Sequence, residues 1–354
     1  MMAGKGVFIM KAHFFLFTAV ALSGVLHFST ASGQGKGRPP GGPGGFGGRE
    51  HTATEAQELD LVRANRKPPE KTEVEIRENG DLREITSNGM PDHLVGRFPN
   101  RDNPNEIREQ AHDVGIPLIP DEADEITYLH GPLADRRFRV FGITLDGVLM
   151  EPGTAERWKG RPDWSYEALG GAVPLGLDEN YAHVQPDGNY HYHGLPIGLM
   201  KRLGFKNGEH SPIIGWAADG FPIYALFGYS DPMESGSAIE EMKTGYELKE
   251  GERPGGRDAP DGEYDGAFVE DYEYIGGDGT LDECNGRFCV TPEFPGGTYA
   301  YFLTREWPVI PRAFRGTPEQ LKTFREEGGP RDFGGLGGEE RLGPPPGGRP
   351  PRRR

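Results

Sequence analysis

Hydrophobic and polar positions alternate with a period of two through much of the chain. Val74 and Ile76 alternate with Glu73, Glu75 and Arg77, Asn79 and Gly80 supply a turn, and Leu82 and Ile85 follow on the return, which predicts a β-hairpin. Short runs of the same character recur at residues 137–143, around Gly194 between His191 and Leu195, and at 213–217, 222–227 and 298–304. In the last of these, Tyr299 and Tyr301 share one face and Ala300 and Phe302 the other, the pattern of a half-buried strand. Helical periods are scarce. Thr52 and Glu55 form a capping-box pattern ahead of a weak Leu59, Leu61, Val62 stripe, predicting one short helix over 52–66. Two more short helices are predicted over 151–158 and 317–326, the second with Thr317 as N-cap and Pro318 at its first position. The sum is a mainly β fold: a sandwich or barrel-like arrangement of antiparallel sheets with long loops and few short helices.

Composition limits how much of the chain this pattern covers. The 354 residues include 55 Gly and 32 Pro, and only 35% are hydrophobic, so the folded part is smaller than the chain. Lys5 and Lys11 precede an apolar stretch over 14–26 and the small residues Ser29, Thr30, Ala31, Ser32 and Gly33, which together predict a secretory signal over 1–33. The expected organisation continues with a Gly/Pro-rich linker over 34–71 that includes the first short helix. A β domain over 72–316 follows, then 317–354 as a short helix and a Gly/Pro/Arg tail. A secreted, periplasmic or cell-surface location is expected, and no later run is apolar for long enough to cross a membrane. The formal net charge of -16 argues against nucleic acid as a partner, and the basic end at Arg352, Arg353 and Arg354 is that of a solvated tail. With export, a disulfide is the default for the two cysteines, Cys284 and Cys289.

The chemistry concentrates in YAHVQPDGNYHYHGLP, residues 181–196, which holds three of the ten histidines. In a strand, His191 and His193 project to one face and Tyr190 and Tyr192 to the other. Pro186, Asp187 and Gly188 suit a type I turn closed by a G1 bulge. If they form the loop, Gln185 pairs with Asn189, Val184 with Tyr190 and His183 with His191. Directly opposed side chains then lie roughly 5 Å apart at Cβ, and three imidazoles converge. That set suits a transition ion, copper or zinc, with one coordination position left open. Ordinary hydrogen-bonded strand histidines are the bland alternative, and a loop one residue longer would turn His183 to the wrong face.

Three carboxylates are weaker catalytic candidates. Asp219, in the turn of GWAADGFPIYALFGY, is a potential fourth ligand or an orienting carboxylate, or else a turn residue bonding its own backbone. Asp282 and Glu283, in LDECNGRFC, are candidates for a hard-cation site or for proton transfer, against plain exposed charge. No nucleophile elbow, phosphate-binding glycine loop, HExxH helix or dinucleotide fingerprint occurs.

These residues resemble a family, the secreted bacterial YHYH-domain proteins, whose motif stands here as Tyr190, His191, Tyr192 and His193. The segments FGITLDGVLMEPGTAERW, HVQPDGNYHYHGLP, DGFPIYA, LDECNGRF and VTPEFPGGTYAYF are similar to its blocks, in the same order. The resemblance implies an exported protein and supports a ligand role for His183, His191 and His193, and it adds no substrate. Relatives often carry a cysteine where Ala313 stands, able to pair with the one in LDECNG. Here the second cysteine is Cys289, which leaves a local bridge or two free thiols. The expected function is an extracytoplasmic metal-binding β domain, either a metal-dependent enzyme or a metal carrier. The rivals are a surface binding module for a small molecule, polysaccharide or protein, and a hydrolase using Asp219, Asp282 and Glu283.

Overall fold

Backbone pairing organises the chain around one large sheet. In the computed structural model, which describes residues 51–321 apart from 132, 133, 136, 278 and 279, eight short strands share a single sheet. In spatial order they are Gly286–Cys289, Thr298–Leu303, Pro222–Ala225, Ile213–Ala217, Gly142–Thr144, Leu149–Met150, Tyr190–Tyr192 and, at the edge, Ala182–Val184. Most neighbours run antiparallel. Two pairings are parallel, Tyr190–Tyr192 with Leu149–Met150 and Pro222–Ala225 with Thr298–Leu303. A three-stranded sheet of Val74–Asn79, Leu82–Ser87 and His112–Pro117 carries the predicted hairpin, with Val74 facing Ser87 and Asn79 facing Leu82. Two-stranded ribbons complete the architecture, among them Gly153–Arg157 with Ser165–Glu167 and Ala313–Gly316 with Glu122–Tyr128. The protein is therefore mainly β, with several antiparallel sheets and, among the described residues, no closed barrel.

The principal core draws on every strand of the large sheet except Gly286–Cys289. Ile143, Leu149, Tyr190, Tyr192, Ile223, Tyr301 and Phe314 are among its fully buried members. A second cluster of Trp158, Tyr166, Leu177 and Phe268 packs elsewhere, and a third surrounds Tyr224, Cys289, Ala300 and Phe302. The alternation in Thr298–Leu303 is real: Tyr299 and Tyr301 enter the principal core, while Ala300 and Phe302 enter the third. Because strands flank it on both sides and cores cover both faces, the strand is buried rather than half-buried.

Tertiary pairing overrides several local expectations. Residues 52–66 form no helix: Gln57 N donates to Gly170 O at 2.8 Å, Val62 N to Leu177 O at 2.8 Å, and Leu59 and Leu61 pack on the second cluster. The 151–158 helix is replaced by strand Gly153–Arg157, paired with Ser165–Glu167, since so short a helix gains little from its own hydrogen bonds. Of 137–143, only Gly142 and Ile143 join a strand. The 222–227 run breaks at Leu226, whose φ of 33° turns the chain into the separate strand Phe227–Tyr229. The one α-helix among the described residues is Ile197–Arg202. Residues 317–321 are not helical; the rest of that predicted helix, the signal segment, the first part of the linker and the tail lie outside the described residues.

The expected disulfide is absent. Cys284 and Cys289 are both free and buried, one in the principal core and the other in the third cluster. Cys284 lies in the turn that precedes strand Gly286–Cys289 and Cys289 closes that strand, so the two thiols enter different clusters.

Candidate metal centre

The centre is built by one turn. Gly188 adopts φ 97°, and its N–H donates to Gln185 O at 2.9 Å. Asn189 N donates to the Asp187 side chain at 3.1 Å, and Gln185 N to Asn189 O at 2.9 Å, so the loop holds three residues as its sequence predicts. The register follows: Val184 opposes Tyr190, His183 opposes His191 and Ala182 opposes Tyr192.

This register brings the three imidazoles together. Ring centroids lie 4.8 Å apart for His183 and His191, 4.7 Å for His183 and His193, and 4.7 Å for His191 and His193. One nitrogen from each falls within 4.8 Å of the others, the spacing of groups able to share an ion. His191 and His193 are buried and His183 is half-buried. Nδ1 of His183 sits 2.9 Å from Leu175 O, and Nδ1 of His191 sits 3.2 Å from Asn189 O. A carbonyl at Nδ1 can only accept, which puts the proton there and leaves the Nε2 lone pair free to ligate. His193 differs, since both of its ring nitrogens are buried and neither has a hydrogen-bond partner.

The alternate residues of the motif anchor the strand from behind. Tyr190 OH donates to Asp178 Oδ2 at 2.9 Å, and Tyr192 OH lies 2.6 Å from His93 Nε2 and 3.4 Å from Asp146 Oδ2. Glu151 accepts from Gln185 Nε2 at 2.9 Å, bracing the first residue beyond strand Ala182–Val184, and burial pushes its carboxyl up to about 7. Asp178, His93 and Glu151 are members of this support that the motif itself does not announce.

Burial keeps the imidazoles neutral, the form a metal requires. It pushes His183 down to about 3, aided by the neighbouring His191, and His191 down to about 4. It also drives His193 well below the ordinary value, with the His191, His183 and Arg312 charges adding to the effect. His112, His130 and His210 are lowered by burial as well. An unfolded histidine titrates near 6.5. Below that pH the unfolded chain takes up protons that the folded chain refuses, so this contribution is whole above 6.5 and is lost as pH falls towards the values of about 4 and 3. Glu151 and Glu270, raised to about 7, Asp219, raised to about 6, and Asp178 and Asp282, also raised by burial, act in the opposite sense, five carboxyls against six histidines. The metal-free protein is expected to unfold at lower urea at about pH 4.5 than at about pH 7; an equal or higher midpoint at the acid pH would contradict this balance.

None of the three candidate carboxylates joins the converging set. Asp219 is buried and accepts from Tyr301 OH, from Gly316 N at 2.9 Å and from Phe221 N at 3.4 Å, so it fastens its own turn to strand Ala313–Gly316. Asp282 accepts from Cys284 N at 2.9 Å, Gly286 N at 3.1 Å and Tyr299 OH at 2.9 Å. Glu283 accepts from Tyr128 OH at 3.0 Å.

Comparison with known families turns on this same region. The family described as YHYH protein matches residues 114–316, more than half of the chain and the whole ribbon that carries the three histidines. The chain belongs to the YHYH family. No curated protein and no solved structure matches it. Within this YHYH protein the most distant contributor beside the centre is Arg312, whose charge acts on His193 and whose Nη2 donates to both oxygens of Glu167 at 2.9 and 2.8 Å. No local pattern marks either residue, because they meet across 145 positions of sequence. Among the described residues no helix is long and apolar enough to cross a membrane.

Proposed function

We propose that this YHYH protein is an exported metal-binding β domain in which His183, His191 and His193 hold one transition ion, copper or zinc. The observation that carries the reading is His193, buried with both nitrogens unpartnered inside a cluster of neutral rings. An unsatisfied buried polar group costs on the order of 1–3 kcal/mol, and coordination offsets that cost. A donor set of three imidazoles with no converging carboxylate favours copper or zinc over the harder calcium and magnesium. Three protein ligands leave one position for substrate or water, as in catalytic sites, and a bound ion there supplies Lewis-acid or, for copper, redox chemistry. The chain's own contribution is to hold the rings neutral, to fix two tautomers through Leu175 and Asn189, and to brace the ribbon through Glu151.

A binding module for a small molecule or polysaccharide is the second reading. It draws on Tyr272 and Trp307, whose rings stack 4.2 Å apart at 4° on the wall of a cavity of about 350 Å³. Elemental analysis of the purified protein separates the two. Near-stoichiometric copper or zinc in the wild type, and none in His191→Ala and His193→Ala, is the expected result. A folded wild type that neither retains nor takes up either metal would leave the binding-module reading in place.

A further inference from the structure

Arg312 has donors to spare once every internal bond has been assigned. Its side chain is 4% exposed and its Nη2 is engaged by Glu167, yet Nε and Nη1 are buried without a partner. Glu167 has little capacity left for them, because its oxygens also accept from Trp307 Nε1 at 2.8 Å and Leu169 N at 3.2 Å. His130 is likewise buried without a partner at Nδ1. His130 reaches its place only because residue 153 is glycine: a Cβ there would lie 1.7 Å from His130 Nε2. The cavity of about 350 Å³ is lined by Glu167, Tyr181, Leu195 and Trp307. Tyr181 and Leu195 are each two residues from a histidine of the trio, and His193 N donates to Tyr181 O at 2.8 Å. Glu167, which holds Arg312, and Tyr181, whose carbonyl accepts from His193 N, thus line the same cavity.

Leaving such donors unpaired costs on the order of 1–3 kcal/mol each, and the groups that satisfy a guanidinium best are carboxylates and other oxyanions. We propose that Arg312 binds the carboxylate or small oxyanion of a ligand seated at the open position of the three-histidine centre, so that the centre selects anionic small molecules. The inference rests on the metal reading of that trio. In it, Arg312 is a specificity-determining residue, while Glu167 and Trp307 keep its free edge in position.

The test loads the full chain with Co(II), uses sodium acetate as the probe and the visible d–d spectrum as the readout, and measures metal content on every sample. The expected result is a saturable spectral change in the wild type. The double variant Arg312→Met/Glu167→Met, which removes the buried pair as a unit and strands no charge, should bind acetate at least about tenfold more weakly at unchanged cobalt content. If the double variant does not fold, Arg312→Lys replaces it, keeping the charge opposite Glu167 but losing the planar donor set, with the same expectation. Cobalt-loaded wild type that is indifferent to acetate overturns the inference and leaves the metal reading intact. So does a variant that binds acetate as tightly as wild type, because the ion alone would then hold the anion. A wild type that takes up no cobalt overturns the metal reading, and the inference with it.

Discussion

His193→Leu should leave the metal-free protein as stable as wild type, or more so, while abolishing the stabilisation that copper or zinc confers. The two parts have opposite signs for one reason. In the absence of an ion, His193 holds two buried polar nitrogens outside any well-formed hydrogen bond, a cost on the order of 1–3 kcal/mol that leucine does not carry. With an ion present, the same nitrogens supply one of three ligands, and deleting one of three weakens binding by more than the 10–100-fold typical of supporting residues. A ligand that binds only the folded state raises stability by about 2.7 kcal/mol at 100 times its dissociation constant, so the lost increment is large enough to read in a melting curve. Thermal unfolding of both proteins, with chelator and with one equivalent of copper or zinc, checks both signs. A His193→Leu protein that is clearly less stable than wild type under chelator would mean that the ring is a satisfied core residue, contrary to its geometry. Wild type that gains nothing from either metal would remove the centre.

Much of this site was legible because it is local. Two periods meet in it: strand alternation puts His191 and His193 on one side and Tyr190 and Tyr192 on the other, and a Pro-Asp-Gly loop of fixed length sets His183 opposite His191. Both rest on backbone stereochemistry within ten residues, and neither depends on the remainder of the fold. The same logic recovered the Val74–Asn79 and Leu82–Ser87 hairpin from Asn79-Gly80 and the face assignment of Tyr299 and Tyr301. Where the outcome depended on distant partners, local reading failed. Residues 52–66 carry a capping pattern, yet the N–H groups of Gln57 and Val62 bond to Gly170 and Leu177, more than 100 positions away, and no helix forms. Glu151, although inside the block FGITLDGVLMEPGTAERW, and Arg312 have no local pattern that announces their partners. They matter because one bonds Gln185 and the other Glu167, contacts that only the assembled sheets create.

Asp271→Ala is expected to be the most destabilising single substitution outside the hydrophobic cores, at roughly 3–5 kcal/mol. Its carboxylate is fully buried and accepts from Arg253 Nε at 2.8 Å, Arg253 Nη2 at 2.6 Å, Gly266 N at 3.0 Å and Phe268 N at 3.2 Å. Removing it strands one side of the Arg253 guanidinium, whose side chain has no exposure to water: Nε loses its acceptor, while Nη1 keeps Thr54 O at 2.6 Å and Nη2 keeps the Asp265 carboxylate. The loss propagates towards the centre through the backbone, because Ala267 O accepts from Glu167 N at 2.9 Å and Glu167 is the residue that holds Arg312. Replacing both members, as in Arg253→Met/Asp271→Leu, takes the stranded charge away and should restore most of the difference. Urea unfolding of the two variants measures the contrast. Equal and small losses in both would show that the pair is hydrated and contributes little, whereas a large loss confined to the single variant identifies the stranded cation as its cause.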